Sequence, residues 1–562
     1  MRERYLEVFD NIWVDSLNGD AFRTGKRTPD GKPDPSVFST EQNPVGIQIG
    51  TSIALLVRRA KHKQAETVAF REFWGTEKRS DLLKALNESS RFAYEELRPA
   101  AQAGFPFMPH QIEAAYESWP KITELFEMMS PGINTSRDSF LVDISKEKLE
   151  ERLKHYFDKE LGHDEMARIN PDVMTSTKRY DARHTREQLQ KRGTGVGAIL
   201  NYEYRPFDTL HLYWDPDTKL LDEKREDLFE AAASDNWFLI SRQKRERDRE
   251  GTPFYATPRL ADRHLTRPGS ACFPLKRAAT RQGKLSDGGS NRPSYNLSET
   301  SEIYLSDALR FSGGSGPLVW RHALAIGYSP AYLRANEDGM RQDWPRIPMP
   351  ATAEALVKSA ELGERIAKLL DSEAQVESIT TGNVRPDLRT MCNPVSLTGK
   401  PLIPKEDLII SAGWGHPGKE GVVMPGSGRV EERDYSNEEK ELIQKGAQDL
   451  GLTLEEALDL IGESTFDVFM NEHAYWKNIP KIVWFYTIGG YQVIKKWLSY
   501  REGKILKRAI SADEARHVRD VARRIAAICL MEPELDANYA GVKASTYRWE
   551  TLQGRQSAGS AR

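Results

Sequence analysis

Tyr204-Arg205-Pro206-Phe207-Asp208 reads as a strand running into a turn. Pro206 fixes its own φ and offers no backbone donor, so it ends a ladder. Tyr204 and Phe207 carry large rings suited to a core. Arg205 has two open partners at this level, Asp208 or a phosphate. Around this segment, residues 195–320 are rich in strand signals, with turns at Pro206, Asp215-Pro216, Gly251 and Pro258 and a polar loop at Ser286–Asn291. Downstream, Trp344-Pro345-Arg346-Ile347-Pro348-Met349-Pro350 imposes an extended entry. It leads into a helix at 351–372, where Ala353, Leu356, Val357, Ala360, Leu362, Ile366, Leu369 and Leu370 recur at roughly helical spacing. Residues 374–436 are rich in Gly and Pro and read as irregular or partly strand. From Asn437 to Asn538 the pattern is helical again, and it contains Phe485-Tyr486-Thr487-Ile488-Gly489-Gly490-Tyr491-Gln492-Val493.

Upstream, Phe9–Leu17 is a predicted strand ending at the turn dipeptide Asn18-Gly19. The apolar run Val45–Arg59 predicts a buried strand or a short helix feeding one. Thr67–Trp74 is a further strand, Glu77–Tyr94 turns helical, and Phe140–Asp158 starts as a strand and continues as an amphipathic helix. Gln553–Arg562 reads as a flexible tail.

The chain has 562 residues, too many for one ordinary core. Its 80 Lys and Arg nearly balance 83 Asp and Glu, a net charge of -3, so any affinity for nucleic acid must come from local clusters. Cys272, Cys392 and Cys529 are far apart, which excludes a disulfide framework and a zinc module and fits a reducing, cytoplasmic setting. No apolar run approaches the roughly 20 residues of a membrane span.

Several segments in order resemble the carboxy-terminal half of type ISP restriction–modification enzymes, single chains joining nuclease, helicase, adenine-N6 DNA methyltransferase and target-recognition domain. They are Phe9–Gly19, Val45-Gly46-Ile47-Gln48-Ile49-Gly50-Thr51-Ser52-Ile53-Ala54-Leu55-Leu56-Val57, Gly132-Ile133-Asn134-Thr135-Ser136-Arg137-Asp138, and the segments at 204–208, 344–350 and 485–493. The resemblance implies a mixed α+β chain. A partial Rossmann-like methyltransferase sheet (1–75) and a helical connector (76–139) precede a β-rich target-recognition domain (140–350). The long helix (351–372), an irregular segment (373–436), a helical specificity region (437–552) and the tail (553–562) follow. It also implies recognition of a double-stranded DNA sequence on behalf of an S-adenosylmethionine-dependent methyltransferase.

This sequence departs from that family at the chemistry. The catalytic Asn/Asp-Pro-Pro-Tyr/Phe motif holds a flipped adenine by its amino group and by stacking. Asn43-Pro44-Val45, Asn170-Pro171-Asp172 and Asn393-Pro394-Val395 each lack its second proline and its aromatic ring. The glycine clusters Gly193–Gly197 and Gly313–Gly316 read as turns, and no Walker A pattern occurs. No catalytic residue, metal or cofactor is therefore expected in this chain alone. A separately encoded amino-terminal half would supply nuclease, helicase and methyltransferase motifs. A stand-alone specificity module and a non-functional remnant are the alternatives.

DNA contacts are expected in the basic stretch Trp237–Lys284, at Arg242, Lys244, Arg245, Arg247, Arg263, Arg267, Lys276 and Arg277, because Lys and Arg clusters neutralise phosphates. A solvated charged face is the other reading of the same residues. Arg346, Lys495 and Lys496 complete the candidates. Tyr475–Arg501 mixes rings with cations, a composition that serves either base stacking or a core.

Overall fold

The computed structural model describes residues 1–549 except 20–27, 33, 41, 44–45, 48–49, 88–91, 100–104, 110–111, 194–196, 233–234, 246–249, 268, 278–293, 312–313 and 419–422. The tail at 553–562 and the polar loop at 286–291 thus fall outside the described residues.

The amino-terminal unit has its own small core. Helix α1 (Arg2–Val8) leads into strand β1 (Asn11–Ser16), followed by β2 (Ser52–Val57), β3 (Val68–Glu72), helix α2 (Lys78–Lys84) and β4 (Glu95–Leu97). The sheet order is β2-β1-β3-β4, with β1 parallel to β3 and both outer strands antiparallel. The predicted partial Rossmann-like sheet is therefore a mixed sheet with one parallel pair. Leu6, Ile12, Val14, Val68 and Phe70 form its core. The predicted strand within Val45–Arg59 exists but is not buried: β2 lies at the sheet edge, and among the described residues no layer covers it, leaving Ile53 49% and Leu55 58% exposed. The helix predicted over Glu77–Tyr94 is shorter, because the chain turns at Leu86 and Asn87.

From Tyr116 to Trp549 a second, continuous core joins the rest of the chain. It is built on three four-stranded sheets. The elements are β5 (Ser130–Pro131), β6 (Val142–Asp143), helix α3 (Lys146–Phe157), β7 (Ala198–Arg205), β8 (Asp208–Trp214), β9 (Phe238–Ser241), β10 (Tyr255–Thr257), β11 (Leu260–Ala261) and β12 (Ala271–Pro274), then helices α4 (Gly316–Gly327) and α5 (Ala353–Leu370). Sheets run β11-β7-β8-β6 and β10-β9-β12-β5. Helix α3 begins where the Ser145 side chain accepts from the Lys148 amide, and it buries Leu149, Leu153 and Tyr156 along one stripe. The end of the stretch predicted to be strand-rich, residues 299–320, is instead largely helical among the described residues, and α4 is almost wholly buried. Thr352 caps α5, which packs so closely on α4 that a Cβ at Gly363 would run into the Arg321 carbonyl oxygen.

The third sheet is an antiparallel meander, β13-β18-β17-β16. Its strands are β13 (Asn393–Ser396), β16 (Val430–Asp434), β17 (Ser464–Phe469) and β18 (Ala474–Pro480), with the hairpin β14 (Gly415–Pro417) and β15 (Val423–Pro425) between β13 and β16. Helix α6 (Asn437–Gln448) follows β16. The hairpin β17–β18 corrects the all-helical expectation for 437–538. Gly462, at φ +109, ends the preceding helix, and Thr465, Phe466 and Val468 then favour a pleated surface. A short hairpin, β19 (Thr487–Ile488) and β20 (Tyr491–Gln492), leads directly into α7 (Val493–Arg501). Helix α8 (Ala512–Leu530) runs through the core, with a Ser511–Glu514 capping box at its start. Among the described residues no helix is long and apolar enough to cross a membrane.

Candidate nucleic-acid interface

Arg205 and Asp208 face each other across a two-residue turn whose tip is Pro206 and Phe207. Phe207 has φ +60, a left-handed conformation that bulky L-residues avoid, and it is 1% exposed. Its surroundings hold it there. The Phe207 amide donates to the Tyr255 hydroxyl at 3.0 Å, and its carbonyl accepts from His517 Nε2 at 2.8 Å. The turn is thereby tied to β10 on one side and α8 on the other.

The carboxylate that Arg205 takes is not the neighbouring Asp208. Arg205 pairs with Asp262 at 2.7 Å, and that carboxylate also accepts from the Tyr202 hydroxyl and the His264 amide. Asp208 instead accepts two hydrogen bonds from Arg501 of α7, at 2.7 and 3.1 Å. Both ion pairs are buried.

Around these pairs lies a layer of rings and cations. The Arg205 guanidinium sits 3.9 Å over Tyr204 and 5.7 Å from the Tyr491 centroid. Arg267 lies 4.9 Å from Tyr491, and Lys496 Nζ lies 4.3 Å over Tyr500 and 5.8 Å from Tyr491. Such contacts are favourable, more so out of water. Three backbone bonds bring the parts together. Gly489 and Gly490, both at positive φ, donate to the carbonyls of Thr252 and Glu250, and the Arg267 amide donates to Gly489. A Cβ at Gly489 would press into Thr266, so a residue without one is needed where the hairpin meets the loop 262–270. Burial, and then the nearby Arg205 and Arg267, push the Lys496 ammonium down to about 7, with Asp208 opposing. Burial also lowers Lys495.

The candidate cations divide sharply. Arg263 and Arg267 are exposed on the loop 262–270, Lys244 is exposed beyond β9, and Lys495 and Lys496 lie on α7. Arg267 and Lys496, 229 residues apart by their numbers, converge on Tyr491. Arg242 and Arg245 do not reach that surface. Arg242 is 1% exposed and ion-paired with Glu250; Arg245 is 7% exposed, with Glu337 at 4.0 Å. Both are buried, Arg242 against the buried Glu250, so the expectation of DNA contact is corrected at these two positions. Lys276 reaches the Asp235 carbonyl, Arg277 pairs with Glu127, and Arg346 donates to the Trp119 carbonyl at 2.6 Å. Arg247 lies outside the described residues. Sequence reasoning passed over Asp262 and Tyr500, which carried no local signal, since each takes its partner from a distant segment.

Comparison with known proteins fits this geometry. The profile of the type ISP C-terminal specificity domain matches residues 124–528. The chain belongs to this family. The type ISP match takes in the Tyr204–Asp208 turn, the loop 262–270, the β19–β20 hairpin and α7 together. No curated protein sequence matches the chain. Several solved structures share its fold, among them the following three. An ATP-dependent type ISP restriction–modification enzyme, LlaBIII bound to DNA, is 16% identical at TM-score 0.56, covering 96% of this chain and 31% of its own. A nuclease-deletion mutant of the type ISP enzyme LlaGI with a DNA substrate mimic is 14% identical at TM-score 0.53, over 95% of this chain and 44% of its own. The DrdV–DNA complex is 15% identical at TM-score 0.57, over 95% and 48%. This type ISP chain thus spans a third to a half of the length of those proteins.

S-adenosylmethionine does not fit the glycine clusters of this type ISP chain. A cofactor cradle opens from a strand into a helix. Gly193 instead ends a helix, and a Cβ at Gly197 would strike the Tyr213 ring. Gly316 opens α4 with no strand before it, against the Tyr295 ring.

Proposed function

We propose that this type ISP specificity chain recognises a target sequence in double-stranded DNA through the face made by the loop 262–270, the β19–β20 hairpin and α7. The convergence of Arg267 and Lys496 on Tyr491, with Arg263 exposed on the same loop, carries this reading. Lys and Arg neutralise backbone phosphates and set register, while arginine forks and amide side chains read base edges. That the similar LlaBIII and DrdV structures contain DNA supports it. In this reading, methyl transfer from S-adenosylmethionine to adenine belongs to the complete enzyme, and the chain acts in the cytoplasm, where its three buried free cysteines stay reduced.

The test is selection from a randomised duplex pool, followed by fluorescence anisotropy on the intact chain. One sequence should be enriched, and its log affinity should fall linearly with log salt concentration. Equal affinity for every duplex, or none for any, would remove the proposal.

A second element of the reading rests on β2, an open sheet edge that exposes Ile53 and Leu55. Edges of this kind recruit further strands. We propose that β2 receives an amino-terminal half carrying the nuclease, helicase and methyltransferase motifs. Alone, the chain should self-associate through this edge. Ile53→Lys/Leu55→Lys should restore the monomer in analytical ultracentrifugation. A wild-type chain that stays monomeric at high concentration would instead indicate a stand-alone module.

A further inference from the structure

We infer that Lys496 and Arg267, flanking Tyr491, form a seat for a single DNA backbone phosphate, and that filling the seat takes up a proton at Lys496. The inference rests on the DNA-recognition reading above and specifies one contact within it.

Lys496 is 8% exposed; its carbonyl accepts from the Ser499 hydroxyl, while among the described residues its ammonium makes no hydrogen bond and no ion pair. An ammonium so placed is costly unless something compensates it. The carboxylates beside it are already taken, Asp262 by Arg205 and Asp208 by Arg501. Tyr491 and Tyr500 offer ring faces, which attract the charge without supplying an anion. The other nearby carboxylates are engaged as well, Asp138 by the Tyr204 hydroxyl and Glu514 by Arg508, so none of the four is left for Lys496. A phosphodiester supplies both missing features, a negative charge and oxygen acceptors. Arg267 is exposed and lies 4.9 Å from the same Tyr491 centroid, near enough to Lys496 to share its anion.

Proton uptake follows from the free state, in which burial and the two arginines hold the ammonium down to about 7. A bound phosphate favours the charged form, so the value rises on binding, and above pH 7 binding must add a proton. Affinity therefore falls as pH rises, by at most tenfold per unit. The charged and titratable groups around Lys496 are Arg205, Asp208 and Tyr204 from the β7–β8 turn, with Asp138 against Tyr204; Asp262, Arg263, His264 and Arg267 from the loop 262–270; and Glu514 of α8 against Arg501. To these are added Tyr491 from the hairpin, Lys495, Tyr500 and Arg501 from α7, and His517 from α8 against the Phe207 carbonyl. Of these, His264 has an exposed imidazole and needs a control.

The experiment measures affinity of the intact chain for its selected duplex at pH 6.5, 7.5 and 8.5 and fixed ionic strength. Wild type should weaken by about tenfold across this range. Lys496→Met should bind about tenfold more weakly at pH 6.5, lose its pH dependence and release about one ion fewer. Its thermal midpoint should rise, because an uncompensated buried ammonium is gone. Lys496→Arg, always charged, should bind without pH dependence, and it provides the reading if Lys496→Met fails to fold. A wild-type chain that binds DNA while Lys496→Met matches it in affinity and salt slope overturns the phosphate seat alone. So does a pH dependence that survives in Lys496→Arg or vanishes in His264→Asn. A wild-type chain that binds no DNA overturns the recognition reading, and the seat with it.

Discussion

Asp208→Ala is expected to destabilise the chain by about 3–5 kcal/mol, seen as a lower urea midpoint, because it leaves a buried charge without its partner. Arg501 is 4% exposed. Without Asp208 it would keep only the Trp497 carbonyl at 3.4 Å, the Trp497 ring and Glu514 at 4.0 Å. The pair joins residues 293 positions apart, tying the β7–β8 turn to α7. Its loss should therefore also loosen the Tyr204–Tyr500 contact beside the proposed interface. A paired replacement, Asp208→Leu with Arg501→Met, should recover much of the loss, since two apolar groups need no counter-charge. An Asp208→Ala chain as stable as wild type would show that this clasp contributes nothing to the fold.

Arg263→Ala with Arg267→Ala should leave stability near wild type and weaken DNA binding by about tenfold per arginine at low salt, with a salt slope smaller by roughly two ions. Both side chains are exposed, and neither forms an ion pair among the described residues. Arg242→Ala should divide the other way. It removes the buried Arg242–Glu250 ion pair and lowers the urea midpoint, while the folded fraction keeps the wild-type salt slope. Anisotropy over a salt series, alongside urea denaturation of each variant, separates the two patterns. An unchanged slope in the double variant would move the DNA-binding face away from the loop 262–270.

Much of this architecture follows from local chemistry. The helix predicted at 351–372 is present at Ala353–Leu370, with Thr352 as its cap and its apolar stripe buried. The strand ending at Tyr204–Asp208 is present as well, since proline at a turn and rings flanking it need no distant information. The failures share one cause. β2 has the composition of a buried strand, but burial depends on whether another layer covers it. The β17–β18 hairpin was masked by amphipathic helices on either side, and the strands hold because β13 and β16 pair with them.

The arginines show this division most clearly. Sequence alone established the order of elements, the type ISP likeness and the two neighbourhoods where cations and rings gather. Arg242, Arg245, Arg263 and Arg267 are indistinguishable at that level. Only the tertiary structure decided that the first two are buried, Arg242 against Glu250, while the others stay in solvent, and that Lys496 is buried with no carboxylate left for it. The reason is physical: burying a charge is costly unless partners compensate it, and those partners come from segments brought together by folding, whatever their spacing along the chain.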